Sequence, residues 1–385
     1  MRALALGLLL VAGGGAAQGA PSENRITDEI LQIGILRQRG AVSLQPQGNF
    51  SVIDQTTGEV KRLESGRAYR LESDDGKRVL LGPFLFLGPT RLLPDGPEDF
   101  VYLGSRKYHG NLVFKPGDGG TLTVVDEVGL EEYLEGVLPR EMSPDWPIEA
   151  LKAQAVVART FALANMGKYA QEGYDLSDDV RSQVYSGIEV DSARVKQAVR
   201  DTAGEVLFYQ GELLPVFFHA CCGGNTADPA VIWGMAGRTP KPLRGVGDRF
   251  CKGAPSYLWS ATFPKEVILS ALVRHGIEGG VLRWVRAGER APGGFLKTLR
   301  FEVDRQSFSL RANEFRKWIG TTQLKSTQIW RVIERKGSYE FVGRGFGHGV
   351  GLCQWGARGQ AVKGRGYRKI LSYYFPGANL VRRSE

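Results

Sequence analysis

The chain has 385 residues, of which 42% are hydrophobic and 24% are charged. These values are typical of a folded globular protein, exclude extensive disorder, and at this length predict two or three structural units. The formal net charge of +9 favours an anionic partner, which could be nucleic acid, a membrane surface or an acidic polymer. Charge alone does not choose among these partners.

The amino terminus predicts export. Arg2 precedes an apolar run, Ala3 to Ala12, and a tract of small residues, Gly13 to Ala20. This pattern is typical of a secretory signal peptide, which we place at residues 1–20. The apolar run is too short to span a bilayer, so no integral span is expected after cleavage. Export argues against nucleic acid as the partner and places the protein in the periplasm or cell envelope.

The sequence predicts an α+β fold, with helices and sheets around a cleft. Residues 21–119 are predicted to form a β-rich accessory region, because short apolar runs alternate there with Gly, Asp and Pro. The predicted strands are LQIGIL, FSVID, YRLE, RVLLG, FVYLG and NLVFK. Residues 120–385 are predicted to form a second region of mixed helices and strands, which opens with a further strand, LTVVDEVG.

The stretch Leu130 to Lys168 places one acidic side chain, Glu141, between two predicted helices. In the first helix, apolar residues recur at the spacing of one helical face, and Pro139 is predicted to end it. The second helix is predicted to start with Asp145 as its N-cap and Pro147 in its first turn. Glu141 would then lie on a short connecting segment.

We expect Met142 and Trp146 to shield Glu141 from water. Apolar surroundings raise the pKa of a carboxyl group, and a glutamic acid beside an indole can stay protonated near neutral pH and act as a general acid. The alternative is an ordinary solvated glutamate on a loop.

Later segments predict alternating helices and strands. A helix and a strand separated by Gly204 are followed by a buried strand, LLPVFFHA, which delivers His219 to a loop. Beyond residue 260 a helix is predicted in KEVILSALVRHGI and another in ANEFRKWIGTTQLKST, where it should end near Gly320, with the strand FLKTLRFEVD between them.

A second notable segment is GRGFGHGVGLCQWGARGQA, in which glycine occupies every other position from Gly343 to Gly351. An extended conformation would leave one face bare and turn Arg344 and His348 to the other. A bare face admits a sugar ring or another backbone, and tight sheet packing is the alternative. The acidic residue that a dinucleotide-binding fingerprint requires about 20 positions later is missing.

These motifs resemble the family of stage II sporulation protein D and the amidase enhancer. The resemblance rests on LEEYLEGVLPREM, on WPIEALKAQAVVART and on GRGFGHGVG followed by QWGA, and it extends from Tyr108 to Leu380. It implies that residues 120–385 form the catalytic region and that Glu141 is the catalytic acid. Family members with demonstrated activity are lytic transglycosylases of peptidoglycan, and others enhance a cell-wall amidase.

The resemblance also implies roles for other residues. Those expected to bind substrate are Gln154, Arg159, His219, Arg344, His348 and Gln354. Two alternatives stay open: His219 could be a core histidine, and Arg159 could only pair with an acidic neighbour.

The four cysteines must suit an oxidising compartment if the protein is exported. The resemblance pairs Cys222 with Cys251 as a disulfide, a zinc pair is the alternative, and Cys221 and Cys353 would be buried thiols. Some relatives carry zinc ligands where this chain has Gln171, Ser177 and Ser182. Hydroxyl groups are poor zinc ligands, so we expect no metal there and no cofactor.

A single prominent acid suits a lytic transglycosylase, because the substrate's own C6 hydroxyl replaces the second carboxylate that other glycosidases need. The expected partners are peptidoglycan glycan strands and a cell-wall amidase. Two alternatives are a non-catalytic wall-binding enhancer of an N-acetylmuramoyl-L-alanine amidase and a plain muramidase.

Overall fold

The computed structural model describes residues 29–382 except 75, 110, 189, 236 and 238. The predicted signal peptide at residues 1–20 lies outside the described residues. Within the described ranges, no helix is both long and apolar enough to cross a membrane. The fold is α+β, as predicted.

The strands and helices follow the chain in a mixed order. The strands are β1 (Ile30–Arg39), β2 (Val42–Gln47), β3 (Phe50–Asp54), β4 (Val60–Leu63), β5 (Tyr69–Asp74), β6 (Arg78–Leu81), β7 (Phe84–Phe86), β8 (Thr90–Pro94), β9 (Phe100–Leu103), β10 (Arg106–Tyr108), β11 (Asn111–Gly117), β12 (Thr121–Gly129), β13 (Leu176–Ser177), β14 (Glu205–Tyr209), β15 (Glu212–Leu213), β16 (Phe218–His219), β17 (Leu258–Pro264), β18 (Leu282–Ala287), β19 (Thr298–Val303), β20 (Gln306–Arg311), β21 (Ile329–Arg335), β22 (Ser338–Arg344), β23 (Leu352–Cys353) and β24 (Asn379–Arg382). The helices are α1 (Leu130–Glu141), α2 (Ile148–Ala164), α3 (Ala193–Asp201), α4 (Pro229–Trp233), α5 (Lys265–Arg274), α6 (Ala312–Ile319), α7 (Gln354–Val362) and α8 (Tyr367–Tyr374).

Two sheets dominate the amino-terminal part, and all their strand pairs are antiparallel except that of β13 with β1. One has the order β13-β1-β12-β11-β8-β3-β4 and the other β10-β9-β2-β5-β6-β7. Strand β12 pairs along its length with β1, from Ile30 opposite Gly129 to Arg39 opposite Thr121. The boundary predicted at residue 119 therefore falls inside a sheet, and α1 contributes to the same hydrophobic core. The six strands predicted before residue 120 are confirmed.

Helix α1 continues through Pro139 to Glu141, so the prediction that Pro139 ends it was wrong. A proline in the last turn removes one N–H donor, and tertiary packing outweighs that loss. The buried side chains of α1 are Leu130, Tyr133, Leu134, Val137 and Leu138. Glu141 is thus the last helical residue, followed by Met142, whose N–H donates to the Leu138 carbonyl at 2.9 Å.

Helix α2 begins at Ile148, after Pro147 in the N-cap position. The predicted Asp145 cap is wrong, because no side chain caps this helix. The body of α2 is almost fully buried, with alanines that let α1 and α3 approach closely. Together with α7 and α8, α2 forms a second core beside the large sheets.

Residues 258–344 form a third packed unit, in which two three-stranded sheets enclose a core with α5 and α6. The two helices and the strand predicted here are confirmed as α5, α6 and β19. The predicted strand LLPVFFHA is wrong in extent, because it is divided into two short pieces. Leu213 pairs with Phe208, whereas Phe218 and His219 pair in parallel with Leu352 and Cys353.

The glycine run is irregular rather than extended, which corrects the predicted alternation. Gly345, Gly347, Gly349 and Gly351 have φ values of 77°, 112°, 84° and 75°, which other residues rarely adopt. A Cβ at Gly351 would lie 2.1 Å from the Phe217 carbonyl oxygen. The glycines therefore admit the backbone of residues 217–223, and this packing brings residues 352–354 beside that segment.

Candidate active site

A cleft of about 770 Å³ lies where α1 ends, between the end of α2, the loop at residues 180–184 and helix α6. Its walls come from distant parts of the chain. The lining residues are Glu141, Phe161, Asn165, Lys168, Val180, Arg181, Ser182, Val184, Phe217, Phe218, Trp233, Asn313, Arg316, Lys317, Thr321, Gly347 and His348. Both stretches emphasised by the sequence, Leu130 to Lys168 and the glycine run, thus contribute to one cleft.

Glu141 is largely buried and makes no ion pair within the described ranges. The Gln354 Nε2 donates to its Oε2 at 3.2 Å, and the Val184 backbone forms a further hydrogen bond. Burial raises the pKa of Glu141, and these two hydrogen bonds offset part of the increase. A glutamic acid with a raised pKa can hold a proton near neutral pH and then release it.

The apolar wall differs from the predicted one. Met142 is buried in the second core, and Trp146 packs edge-on against Trp355 with ring centroids 5.1 Å apart. Neither residue lines the cleft. The apolar surface comes instead from aromatic side chains: Phe161, Phe217, Phe218 and Trp233.

The backbone of Val350 determines the tautomer of two histidines. Its carbonyl lies 3.0 Å from Nδ1 of His219, and its N–H donates at 3.1 Å to Nδ1 of His348. In the neutral rings His219 therefore carries its proton on Nδ1, and His348 on Nε2. Burial is the main cause that lowers the pKa of His219 to about 4 and that of His348 to about 3. Both rings are neutral near pH 7.

His348 lines the cleft, whereas His219 lies behind it, with ring centroids 5.5 Å apart. The Nε2 of His219 is buried and has no hydrogen-bond partner among the described residues. His348 also contacts Trp233 at a centroid distance of 5.2 Å. The two histidines thus connect the aromatic wall to the packed glycine segment.

Four cationic side chains line the cleft together with the single carboxylate. They are Lys168, Arg181, Arg316 and Lys317. Arg316 donates through Nε to the Leu324 carbonyl at 2.9 Å, and burial lowers its pKa to about 10. It stays charged near pH 7, so the cleft is electropositive.

Three residues predicted to bind substrate lie elsewhere. Arg159 is fully buried and makes a bidentate ion pair with Glu131 at 2.8 and 2.6 Å, which is the alternative that the sequence left open. Gln154 is also fully buried, and its amide has no partner in the described part of the chain. Arg344 stacks on Trp330, 3.6 Å from the ring centroid, and lines a different cavity. The backbone turns at Gly345 and Gly347 separate it from His348.

The cysteines are free thiols, all buried. The sulfurs of Cys222 and Cys251 are 3.5 Å apart, whereas a disulfide requires about 2.05 Å, so the predicted bond is not formed here. Cys353 is a buried thiol, as expected, and its sulfur accepts the Cys222 N–H at 3.2 Å. The pairing of β16 with β23 causes this, because it places the two segments side by side.

The positions where some relatives carry zinc ligands do not suit a metal here. The hydroxyl groups of Ser177 and Ser182 lie 3.2 Å apart and hydrogen-bond each other. Ser177 also donates to Asp179 at 3.0 Å. Hydrogen bonds within the loop therefore already occupy both hydroxyl groups.

Sequence reasoning missed the contribution of α6, which supplies Asn313, Arg316 and Lys317 to the cleft. It also missed Trp233 and the loop residues Arg181 and Val184. No local motif marks these positions, although Phe217 and Phe218 could have been inferred from their place beside His219. Only the tertiary structure places α6 and Glu141 in the lining of the same cleft.

Comparisons with known proteins agree with the motifs. The family model described as stage II sporulation protein matches residues 118–209, and that of a domain of unknown function matches residues 252–351. An uncharacterised protein of Brachyspira hyodysenteriae is 33% identical over 74% of this chain and 75% of its own length.

The named relatives include two proteins of different Bacillus species. The amidase enhancer of Bacillus subtilis is 27% identical over 83% of this chain and 50% of its own length. Stage II sporulation protein D of Bacillus amyloliquefaciens is 28% identical over 66% of this chain and 75% of its own length. With its signature helices, its carboxy-terminal glycine segment and these matches, the chain belongs to the family of stage II sporulation protein D and the amidase enhancer.

Proposed function

We propose that the protein is an exported lytic transglycosylase that cleaves peptidoglycan glycan strands, with Glu141 as both general acid and general base. The observation that carries this proposal is the state of Glu141: it is largely buried, has a raised pKa and is the one carboxylate among the described cleft-lining residues. The names of the Bacillus relatives support a role at the cell wall. The electropositive cleft suits an acidic polymer.

The single carboxylate selects among glycosidase mechanisms. Retaining and inverting enzymes place a second carboxylate roughly 5 to 9.5 Å from the acid, as nucleophile or base. The other described lining residues are aromatic, polar, aliphatic or cationic. The nucleophile must then come from the substrate, whose C6 hydroxyl can reach the anomeric carbon within the same sugar.

Proton transfer in this mechanism returns Glu141 to its starting state. Protonated Glu141 gives its proton to the glycosidic oxygen as the bond to the anomeric carbon breaks. The resulting carboxylate then accepts the proton of the C6 hydroxyl as its oxygen bonds to that carbon. The products are a 1,6-anhydro-muramic end and a free sugar hydroxyl, without consumption of water.

The remaining groups have positioning roles. Gln354 donates to the carboxylate of Glu141 and so orients it in the ionised state. Aromatic rings such as Phe217 and Trp233 offer flat apolar surfaces to a sugar. Lys168, Arg181 and Lys317 can pair with carboxylates of the peptide and lactyl groups of the wall polymer.

The test is mass spectrometry of purified glycan strands after incubation with wild type and with Glu141→Gln. Wild type should produce anhydro ends, and the variant should lose about 10²-fold to 10⁴-fold in rate. Glutamine keeps the shape but cannot exchange the proton. Glu132→Gln is the matched control, because Glu132 lies on the same helix, has a pKa raised by burial and does not line the cleft.

The products also discriminate the alternatives. Reducing ends in place of anhydro ends would indicate a muramidase that uses water. Another outcome is that wild type leaves the strands intact while wild type and Glu141→Gln both stimulate an added cell-wall amidase. That result would favour the enhancer role that the name of the Bacillus subtilis relative suggests. Anhydro-product formation by Glu141→Gln at the wild-type rate would remove Glu141 from the mechanism.

A further inference from the structure

We propose that Cys222, Asp248, Cys251 and Cys353 form a buried structural zinc site. Their donor atoms all lie within 4.8 Å of one another, and all four residues are buried. The cluster is separate from the cleft lining and from the serine pair at Ser177 and Ser182. The argument rests on this geometry and not on the proposed catalytic activity.

The spacing of the donors suits a tetrahedral ion. Zinc–sulfur bonds of about 2.3 Å place two thiolates about 3.8 Å apart, and a thiolate and a carboxylate oxygen roughly 3.5 Å apart. The Cys222 and Cys251 sulfurs are 3.5 Å apart, and the Cys222 sulfur is 3.2 Å from the Asp248 Oδ2. A small outward shift of the donors would admit the ion. Three thiolates and a carboxylate form a donor set that suits zinc.

Outer hydrogen bonds hold the donors in place, as expected at a metal site. The Cys353 sulfur accepts two backbone N–H groups, from Cys222 at 3.2 Å and from Gly356 at 3.3 Å. Asp248 accepts the Tyr374 hydroxyl at 3.0 Å through Oδ2 and the Phe250 N–H at 2.8 Å through Oδ1. These bonds stabilise negative charge on the sulfur and the carboxylate.

Nearby cations balance the negative charge of the proposed site, and a cavity gives a metal ion access to it. A cavity of about 540 Å³ reaches Asp248 and is lined by Arg249, Lys252 and Arg344. These cations offset the excess negative charge of an ion bound by three thiolates and a carboxylate. Each thiol that binds the ion releases one proton to solvent, and no electron is transferred.

Such an ion would join three segments of the fold: the loop at residues 221–226, the loop at residues 247–251 and the start of α7. Cys353 immediately precedes Gln354, which hydrogen-bonds to Glu141. The site would therefore fix the first turn of α7 at the edge of the cleft. Four protein ligands leave no open position, so its role is structural.

The test begins with the full exported chain, purified without chelator or reductant and analysed for total metal and for free thiols after unfolding. We expect one zinc per chain and, with a chelator present during unfolding, four free thiols. Cobalt added to the metal-free protein should give the absorption of a tetrahedral cobalt–thiolate complex. Two free thiols and a mass lower by two hydrogens would indicate a disulfide and overturn the proposal.

Variants locate the ion. Cys353→Ser should weaken zinc binding by more than the 10-fold to 100-fold that loss of an outer-shell partner costs. Cys221→Ser tests the composition of the donor set, because the Cys221 thiol lies beside Cys251 and Cys353 but outside the four-donor cluster. Its zinc content should equal that of wild type. If Cys353→Ser does not fold, the thiol count and the cobalt spectrum of wild type still test the proposal. Four free thiols in a protein that binds neither zinc nor cobalt would also overturn it.

Discussion

Helices α1 and α2 carry two charged residues in contrasting surroundings, of which one is fully buried and the other partly exposed. At the interface of the helices, Arg159 is fully buried and its guanidinium is neutralised by Glu131 through two hydrogen bonds. At the end of α1, Glu141 faces a cleft with an amide and a backbone group as its hydrogen-bond partners. Both residues belong to the most distinctive segment of the sequence, yet their environments assign them different roles.

The difference shows how burial acts on a charged group. A paired charge stays ionised, and loss of its partner leaves an uncompensated charge in the core. A buried acid without a cationic partner responds by a raised pKa, which favours the protonated form. Arg159 therefore contributes to stability, and Glu141 is available for proton transfer.

The largest expected effect is on stability. Arg159→Ala should lower the free energy of unfolding by about 3 kcal/mol, the lower end for a broken buried pair, because the Glu131 side chain is 23% exposed. Chemical denaturation measures this. Glu141→Gln should change stability far less, since it removes no ion pair.

A double variant sharpens this prediction. Arg159→Met with Glu131→Leu removes both charges and should recover most of the stability lost in Arg159→Ala. Equal stability of Arg159→Ala and wild type would show that the ion pair contributes nothing. A larger loss in Glu141→Gln than in Arg159→Ala would reverse the roles inferred for the two residues.

An intermediate effect is expected from Gln354→Ala. Loss of the hydrogen bond from Gln354 should lower kcat about tenfold, or ~1.4 kcal/mol, and should raise the pKa of Glu141, because that bond favours the carboxylate. The basic limb of the pH–rate profile should move to higher pH. Gln360→Ala on the same helix is the control, as Gln360 is equally buried but bonds to Arg365. A changed rate with an unmoved pH profile would contradict the positioning role.

The smallest expected effect is the pH dependence of stability. The pKa of Glu141 is raised above its ordinary value of 4.5 in the folded state. The unfolded chain therefore loses this proton first, and stability from the protonated form is lost as pH rises from 4.5 through the folded pKa. Thermal unfolding of Glu141→Gln should show its advantage over wild type increasing across that window. An advantage that grows towards acid pH would have the wrong sign.

The sequence by itself determined the α+β class, the principal helices and most amino-terminal strands, and it singled out Glu141 as a candidate. Hydrophobic periodicity identifies these elements because helix and strand expose faces with different repeats, which are local properties of the chain. Periodicity found α1 but not its end, because the proline rule was outweighed by burial of the apolar face of α1 in the core. The family motifs added the expectation of a catalytic acid.

Only the tertiary structure decided which of the residues singled out in the sequence contact one another. It brought Gln354 to Glu141, placed His348 in the cleft, and left Arg159 in the core and Arg344 at another cavity. It also gathered three cysteines and Asp248 into one cluster. Such contacts depend on how segments far apart in the chain pack together, and the left-handed glycines that permit this packing carry no side chain to indicate which backbone will approach them.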